Sequence, residues 1–427
     1  MTTYPPVVPP NTPVQQEFHH TTTKERILSP DIARGLMLLG IVVANATTAW
    51  WLYGSTGPTT EPLEGPDRIV AVLNDVLVHR RGLPMFATLF GFGLGMLAMR
   101  ESRRGTPWPE CRKLMLKRYG WLALFGVVHT LFLFFGDILL TYALLGMLLI
   151  LLVPLRDKVL LWVAGILAVL NIISAIGLHM MTSWLMSFSE TMNPMASDAG
   201  AMPFGDPASY LTGQVLMGFV IALTSPFSAM MAGLMIFPLM IVGLVAARQQ
   251  ILQNAEQHIP LLSVVAAIGV IAAVATGIPS GLSKIPDGVA GLPGTWSMIS
   301  DLAGVLAGPG IIAAIALLLI PIQRRVKAGA NQGIVVKAPF PLDMLQALGQ
   351  RSLTGYVGQS ILLLPLASAW GADIFANASL TQVSLYATGV WVVTLVFAYI
   401  LAKLDKPGPF EALHRRLTYG RGENKTN

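Results

Sequence analysis

The sequence predicts an all-α polytopic membrane protein, and three features of the chain lead to this prediction. Of its 427 residues, 54% are hydrophobic and 12% are charged, whereas a soluble domain carries about 25% charged residues. Apolar runs of about 20 residues, the length that a helix needs to cross a bilayer, recur along the chain. Apolar and polar residues do not alternate within these runs, so helices are favoured over a membrane β-barrel.

The apolar runs predict about ten spans with both termini in the cytoplasm. By residue number the spans cover 32–53, 82–99, 119–135, 138–155, 159–180, 228–247, 261–278, 299–322, 353–370 and 383–404. Lys and Arg cluster between spans, most densely over 100–118, and the positive-inside rule places such loops in the cytoplasm. The shorter run 210–224 precedes Ser225-Pro226 and is interpreted as re-entrant or interfacial, because a full crossing there would put Arg248 outside.

The chain divides into three regions. Residues 1–25, which are rich in Pro and Thr, are predicted to be a disordered cytoplasmic tail. Residues 26–405 form the transmembrane domain, and 406–427 form a cytoplasmic C-terminal segment. Two short amphipathic helices are predicted, at 68–78 on the outer side and at 340–349 on the cytoplasmic side.

Composition sets further limits on function. The net charge of +6 lies in the loops between spans, so it is assigned to topology and no nucleic-acid partner is expected. Cys111 is the only cysteine, which rules out an internal disulfide and a thiolate metal cluster, and no metal site is expected. Trp50, Trp51 and Tyr53 fit an aromatic belt at the outer membrane surface.

The stretch Gly126–Gly146 carries two ionisable residues between apolar runs. Such groups are costly inside a bilayer and are functional candidates by default. His129 is either a structural histidine whose hydrogen bonds are satisfied within the protein, or a base that removes a proton from a hydroxyl. Asp137 follows Gly136 at a tight outer turn. Eight residues of helix would separate the two side chains by roughly 12 Å of rise, so the spacing alone predicts no direct pair.

Other polar residues lie at the predicted mouths of the spans. Asp31 and Arg34 are three residues apart and share a helix face. They are either a charge pair at a helix start or a site where Arg34 takes a phosphate and Asp31 orients it. Asn45 either bonds a neighbouring helix or orients a reacting group. Arg81 lies at the outer edge, where it contacts lipid headgroups or binds an anionic group.

A polar run enters the ninth span and is too costly to face lipid, so it is expected to line the interior. Its members are Arg351, Thr354, Tyr356 and Gln359. This run could extend a site that is accessible from the cytoplasm.

Six motifs occur in an order that resembles the YeiB-like family of bacterial membrane proteins. They are Asp31-x-x-Arg34-Gly35, Leu89-Phe90-Gly91-x-Gly93, Gly126-x-x-His129, Gly136-Asp137-Ile138-Leu139, Leu353-Thr354-x-Tyr356-x-x-Gln359-Ser360 and Gly408-Pro409-x-Glu411 with Arg415-x-Leu417-Thr418. The resemblance extends from about residue 26 to 420. That family in turn resembles the transmembrane acyltransferase superfamily, which includes the lysosomal heparan glucosaminide acetyltransferase. The first motif, with Asn45 later in the same helix, is similar to the first conserved span of that superfamily.

This resemblance implies acyl transfer across the bacterial cytoplasmic membrane. Acetyl-CoA or another acyl-CoA would bind from the cytoplasm, and the acceptor would be a hydroxyl of a cell-envelope sugar or glycolipid. The expected coenzyme-binding residues are Asp31, Arg34, Arg351, Thr354 and Tyr356. The expected catalytic residues are His129 as base, Asn45 at the oxyanion or the acceptor, and Asp137 at the outer mouth. Arg81 and Gln359 would bind the acceptor.

The alternative is a transporter or lipid-handling protein in which the polar residues form an intramembrane path. A tunnel that is open to both sides at His129 would favour transfer, and alternating gates would favour transport. Membrane lipids are expected partners in either case, and a homo-oligomer is possible.

Overall fold

The computed structural model describes residues 27–56, 63–192, 206–285, 294–332, 334 and 336–420, with backbone alone for 186–192 and 330–331. This part of the chain contains α-helices and two 3-10 turns, and no β-strand occurs in it. The helices are α1 Leu28–Ala46, α2 Pro66–Leu77, α3 Gly82–Arg103, α4 Trp108–Phe132, α5 Leu139–Leu152, α6 Asp157–Met192, α7 Pro207–Arg248, α8 Ile259–Leu282, α9 Thr295–Asn331, α10 Leu342–Gln350, α11 Ser352–Ala367, α12 Leu380–Lys403 and α13 Pro409–Tyr419. The all-α prediction is confirmed.

The helices have the length and composition of a multi-pass membrane protein. Within the described residues, 7 helical segments are long and apolar enough to cross a membrane, and α5 and α11 are shorter apolar helices. The long segments are Leu28–Ala46, Pro66–Arg103, Asp157–Leu185, Pro207–Arg248, Ala255–Leu282, Thr295–Gly329 and Leu380–Lys403. The helix α4 occupies the position of the third predicted span. Both predicted amphipathic helices are present, as α2 and α10.

Contacts between helix ends define two ends of the bundle. Leu28 N donates to Gln323 Oε1 at 3.0 Å, which joins the start of α1 to the end of α9. Arg248 at the end of α7 contacts Asp157 at the start of α6 at 2.8 Å. We call this end, which the positive-inside rule assigns to the cytoplasm, the inner end. The opposite, outer end is joined by bonds such as that from Ser55 N to Asp373 Oδ1 at 3.0 Å.

The helix α7 is continuous, and the prediction of a re-entrant segment at 210–224 is wrong. It has 42 residues and contains Pro226 in its interior. Proline lacks an N–H and leaves the carbonyl four residues earlier without a helical donor. That carbonyl belongs to Ala222, and the Ser225 hydroxyl donates to it at 2.7 Å. The serine thus replaces the missing bond, and α7 crosses once with Arg248 still at the inner end.

The aromatic residues after α1 are buried, so the prediction that they form an outer belt is wrong. The helix α1 ends at Ala46, and Trp50–Tyr53 form a 3-10 turn. The side chains of Trp50, Trp51 and Tyr53 are buried. Trp50 stacks on Phe134, with ring centroids 4.6 Å apart. These residues therefore cover the α4–α5 turn from the outer end.

The C-terminal part of the chain folds back onto the inner end. The helix α13 packs against α4, where His414 Nε2 lies 2.9 Å from Arg118 O. Burial lowers the pKa of His414 to about 4. The neutral imidazole thus donates Nε2–H to that carbonyl near pH 7. The predicted tail 1–25 and residues 421–427 lie outside the described residues.

Candidate functional site

His129 and Asp137 are in direct contact, and the prediction that they form no pair is wrong. The helix α4 ends three residues after His129, and the backbone N–H groups of Leu133 and Phe134 both donate to His129 O at 2.9 Å. This tight helix end reverses the chain, so Asp137 returns along the side of α4. His129 Nδ1 and Asp137 Oδ1 lie 2.9 Å apart.

A glycine allows this return. A Cβ atom at Gly126 would lie only 2.4 Å from Leu140 N, so the start of α5 touches the backbone of α4 at this point. Leu140 N in turn donates to Asp137 Oδ2 at 2.9 Å. This N–H belongs to the first turn of α5, so the Asp137 side chain caps that helix. Gly126 and Asp137 thus place a carboxylate beside an imidazole.

Ser360 lies on the other side of the imidazole. Its Oγ is 2.9 Å from His129 Nε2. The exposed fractions of the His129, Asp137 and Ser360 side chains are 2%, 1% and 5%. We call these three side chains the relay. Ser360 closes the motif that begins at Leu353 but has no predicted role, although its spacing of four from Tyr356 puts both side chains on one helix face.

The position of Asp137 on the Nδ1 side of the ring favours one arrangement of the protons. The tautomer with its proton on Nδ1 places that proton near the carboxylate and leaves Nε2 to accept from the Ser360 hydroxyl. The order carboxylate, imidazole, hydroxyl is that of serine-dependent acyl transfer. The relay differs from that arrangement at His129 Nδ1. Asp137 Oδ1 is 2.9 Å from this nitrogen, but Nδ1 makes no hydrogen bond to any residue that the structure describes. The carboxylate lies off the N–H direction and acts here as a close charge.

Tyr356, predicted as a coenzyme-binding residue, lies at the relay. Its hydroxyl is 3.4 Å from Asp137 Oδ1, to which it donates, and it accepts from Ile138 N at 3.3 Å. Its ring centroid is 5.1 Å from that of His129. Tyr356 therefore positions Asp137 and packs against the imidazole.

An aromatic cap closes the relay at the outer end. We give this name to Trp50, Tyr53, Phe134, Phe135 and Tyr210, whose rings contact one another. Gln214, which has no predicted role, connects the cap to α4. It accepts from Tyr53 OH at 2.9 Å and donates to Thr130 O at 2.8 Å. The relay is therefore enclosed by protein in the described part of the chain, which differs from the open tunnel at His129 that would favour transfer.

Two of the predicted coenzyme-binding residues fix the start of α11. Arg351 is buried and donates to Lys406 O at 2.6 Å and Ala347 O at 3.2 Å. The backbone N–H of Thr354 donates to Glu411 Oε1 at 3.0 Å, and its hydroxyl donates to Oε2. A carboxylate on α13 thus caps α11, and both contacts help to hold Ser360 in place.

Arg351→Ala is expected to destabilise the protein by about 1.5–3 kcal/mol, as for hydrogen bonds to a charged group. The physical reason is the loss of the bonds to Lys406 O and Ala347 O. Thermal unfolding in detergent measures the effect, and Arg325→Ala, at an exposed position of the inner end, is the control. An unchanged unfolding temperature together with weaker coenzyme A binding would show that Arg351 binds phosphate instead.

Arg34 is the predicted phosphate-binding residue with the more accessible side chain. Its Nη1 is 3.4 Å from Asp31 Oδ1, and its Nη2 donates to Leu89 O at 3.1 Å. The side chain is 25% exposed. Arg34 can therefore be reached from the inner end, which is what binding of a cytoplasmic ligand requires.

The remaining candidates lie away from the relay. Gln359 Nε2 is 3.4 Å from Leu38 O, and Asn45 lies seven residues, roughly 10 Å of helix rise, further along α1. No side-chain hydrogen bond of Asn45 occurs among the described residues.

Arg81 is buried inside the protein, so the prediction that it contacts lipid headgroups is wrong. Its side chain donates to Ser300 O and Ser300 Oγ, both at 2.9 Å, and to Asp75 O at 3.1 Å. These bonds join the α2–α3 turn to α9. The exposed fraction of Arg81 is 1%.

The chain is similar to several bacterial proteins. Residues 246–421 match a family described as "Protein of unknown function (DUF418)". The uncharacterised protein YxaH of Bacillus subtilis is 21% identical over 417 residues, which cover 93% of this chain and 96% of YxaH. An uncharacterised 39.9 kDa protein from the amylase 3′ region of Bacillus acidopullulyticus is 24% identical over 411 residues, covering 93% of this chain and 95% of the relative.

A shorter match supports the motif-based resemblance. The uncharacterised protein YeiB of Escherichia coli is 32% identical over 134 residues, which cover 29% of this chain and 30% of YeiB. No solved structure matches the chain. The names of these relatives give no activity, so the resemblance to acyltransferases stays a prediction. The family match over residues 246–421 and the YeiB similarity agree with the order of the six motifs, and they support the resemblance to the YeiB-like DUF418 family.

Proposed function

We propose that the protein is an acyltransferase of the bacterial cytoplasmic membrane. It would move an acyl group, such as acetyl, from acyl-CoA at the inner end to a hydroxyl of an envelope sugar or glycolipid at the outer end. The observation that supports this proposal is the relay, in which His129 lies between a carboxylate and a hydroxyl. Residues separated by 231 positions meet there inside a protein core.

The relay suits proton removal from a hydroxyl. A neutral imidazole nitrogen faces an O–H at 2.9 Å, within the range for general-base catalysis. The Asp137 carboxylate, 2.9 Å from Nδ1, favours the tautomer with the proton on Nδ1 and would stabilise the imidazolium that forms. The enclosed surroundings exclude water, which favours transfer to an acceptor over hydrolysis.

The two ends of the relay suit two different substrates. From the inner end, Ser360 lies eight residues into α11, roughly 12 Å of helix rise. Arg34, oriented by Asp31, is proposed to take a phosphate of the coenzyme at this end. The acceptor would enter through the aromatic cap, whose rings offer apolar faces with polar edges to an amphipathic molecule. Asn45, in the outer half of α1, is proposed to bind the acceptor rather than the oxyanion.

Labelled acyl-CoA tests this proposal. Inverted membrane vesicles, with the cytoplasmic face outward, would receive radiolabelled acetyl-CoA or palmitoyl-CoA, and label would be measured in hydroxylamine-sensitive esters of the lipids and glycans. Vesicles that contain the protein are expected to accumulate such esters, and vesicles from a strain lacking it are not. Equal labelling of both kinds of vesicle with both donors would overturn the proposed function.

A further inference from the structure

We propose that Ser360 is the nucleophile of the reaction and carries the acyl group as an ester between donor and acceptor. This inference rests on the proposed function and adds a covalent intermediate to it. Three observations support it: the orientation of the Ser360 hydroxyl, a contrast with a second histidine cluster, and the enclosure of the relay.

The Ser360 hydroxyl is turned away from its own helix. Hydroxyl groups inside membrane helices usually donate to a carbonyl three or four residues earlier. Several others in this protein do so, among them Thr88 to Pro84 O, Thr224 to Val220 O, Thr276 to Ala272 O and Thr388 to Ser384 O. The hydrogen bond described for Ser360 Oγ goes instead to His129, on another helix. Its proton therefore faces a base.

A second cluster of the same residue types shows the difference. His79 Nδ1 is 2.7 Å from Asp75 Oδ1, and His79 Nε2 is 3.2 Å from Thr47 Oγ1. Thr47 donates its hydroxyl proton to Val43 O at 2.8 Å, within its own helix. That proton is engaged, so His79 receives none from Thr47. The relay is the cluster in which the hydroxyl proton is available to the imidazole.

The enclosure of the relay favours a reaction in two steps. The two substrates approach from opposite sides of the membrane, and the relay side chains are at most 5% exposed. A covalent carrier lets the site open to one side at a time, so the donor and the acceptor need not be held together. Direct transfer would require a space for both at once.

Both steps balance. In the first, Ser360 Oγ attacks the thioester carbonyl, its proton passes to His129 Nε2, and the carbon–sulfur bond breaks. The leaving thiolate takes that proton and departs as coenzyme A. In the second, the acceptor hydroxyl gives its proton to His129 and attacks the serine ester. The ester bond to Ser360 breaks, and Ser360 Oγ takes the proton back.

The test uses the full chain in nanodiscs with acetyl-CoA and no acceptor. We expect a burst of free thiol of at most one equivalent per protein, and an acetyl group on the peptide that contains Ser360. Ser360→Ala is expected to lose the adduct and to lower transfer in the vesicle assay at least about 100-fold. Thr388→Ala, which removes a hydroxyl bonded within α12, is the matched control and is expected to keep both.

A second variant distinguishes loss of the nucleophile from loss of the fold. Ser360→Cys keeps a nucleophile and is expected to form a thioester adduct, which neutral hydroxylamine cleaves faster than the serine ester. Parent-like transfer by Ser360→Ala, or an adduct on the His129 peptide instead, would overturn the inference while the proposed function stands. Absence of transfer by the parent protein in the vesicle assay is the separate result that removes the proposed function itself.

Discussion

His129→Gln is expected to lower acyl transfer by about 10²–10⁴-fold, the usual contribution of a general base. Glutamine is able to hydrogen-bond Ser360, but its amide cannot take up a proton near pH 7. The folded state and coenzyme A binding are expected to persist, because Arg34 lies near the inner end of the chain's first helix and His129 near the opposite end of α4. The vesicle assay measures the rate, and thermal unfolding in detergent measures the fold.

The control for this variant is His179→Gln. His179 also faces a hydroxyl, with Nε2 at 3.2 Å from Thr295 Oγ1, and the contacts described for it include no carboxylate. Its replacement is expected to leave the transfer rate at the parent value. If His129→Gln also transfers at the parent rate, His129 is a packing residue and the role of base passes to Asp137.

Gly126→Ala is expected to reduce both stability and transfer. The added Cβ would lie 2.4 Å from Leu140 N and 2.7 Å from Leu140 Cα, so the start of α5 has to move. Overpacking of this kind costs typically about 1–3 kcal/mol. The same movement draws Asp137 away from His129, and a misplacement of about 1 Å can cost about 10²-fold in rate.

Gly120→Ala is the matched control in the same helix. A Cβ at Gly120 meets no atom within 4 Å. Alanine there is expected to leave the transfer rate unchanged and to keep or raise the unfolding temperature, since it favours a helix over glycine by about 1 kcal/mol. Equal behaviour of the two variants would show that the α4–α5 contact at Gly126 does not control the relay.

The membrane architecture could be predicted because it depends on the length of apolar runs, which is a local property of the sequence. The error at α7 also has a local cause. Ser225-Pro226 was interpreted as an interruption, whereas the Ser225 hydroxyl supplies the bond that Pro226 cannot make. The burial of Trp50 and Tyr53 was not predictable in this way, because it depends on Phe134, which lies far along the chain in the turn between α4 and α5.

The candidate site could be predicted only in part. His129 and Asp137 stand out because each is an ionisable residue between apolar runs. Their contact depends on where α4 ends and on how closely α5 approaches Gly126. Neither of these can be predicted from the number of residues between His129 and Asp137. Ser360 is one of four residues of α11 that carry a hydroxyl, and serine and threonine are common in membrane helices. Its partner, 231 residues away, is what distinguishes it.

The cap that Glu411 provides for α11 has a consequence for biosynthesis. At about 5–20 residues per second, a ribosome needs roughly 10–50 s to proceed from His129 to Ser360. During that interval the nascent protein holds the imidazole and the carboxylate without the hydroxyl. Glu411, 58 residues after Leu353, then stabilises the first turn of the helix that carries Ser360. Ser360 is therefore fixed in place only after the helices that precede it in the chain have been made.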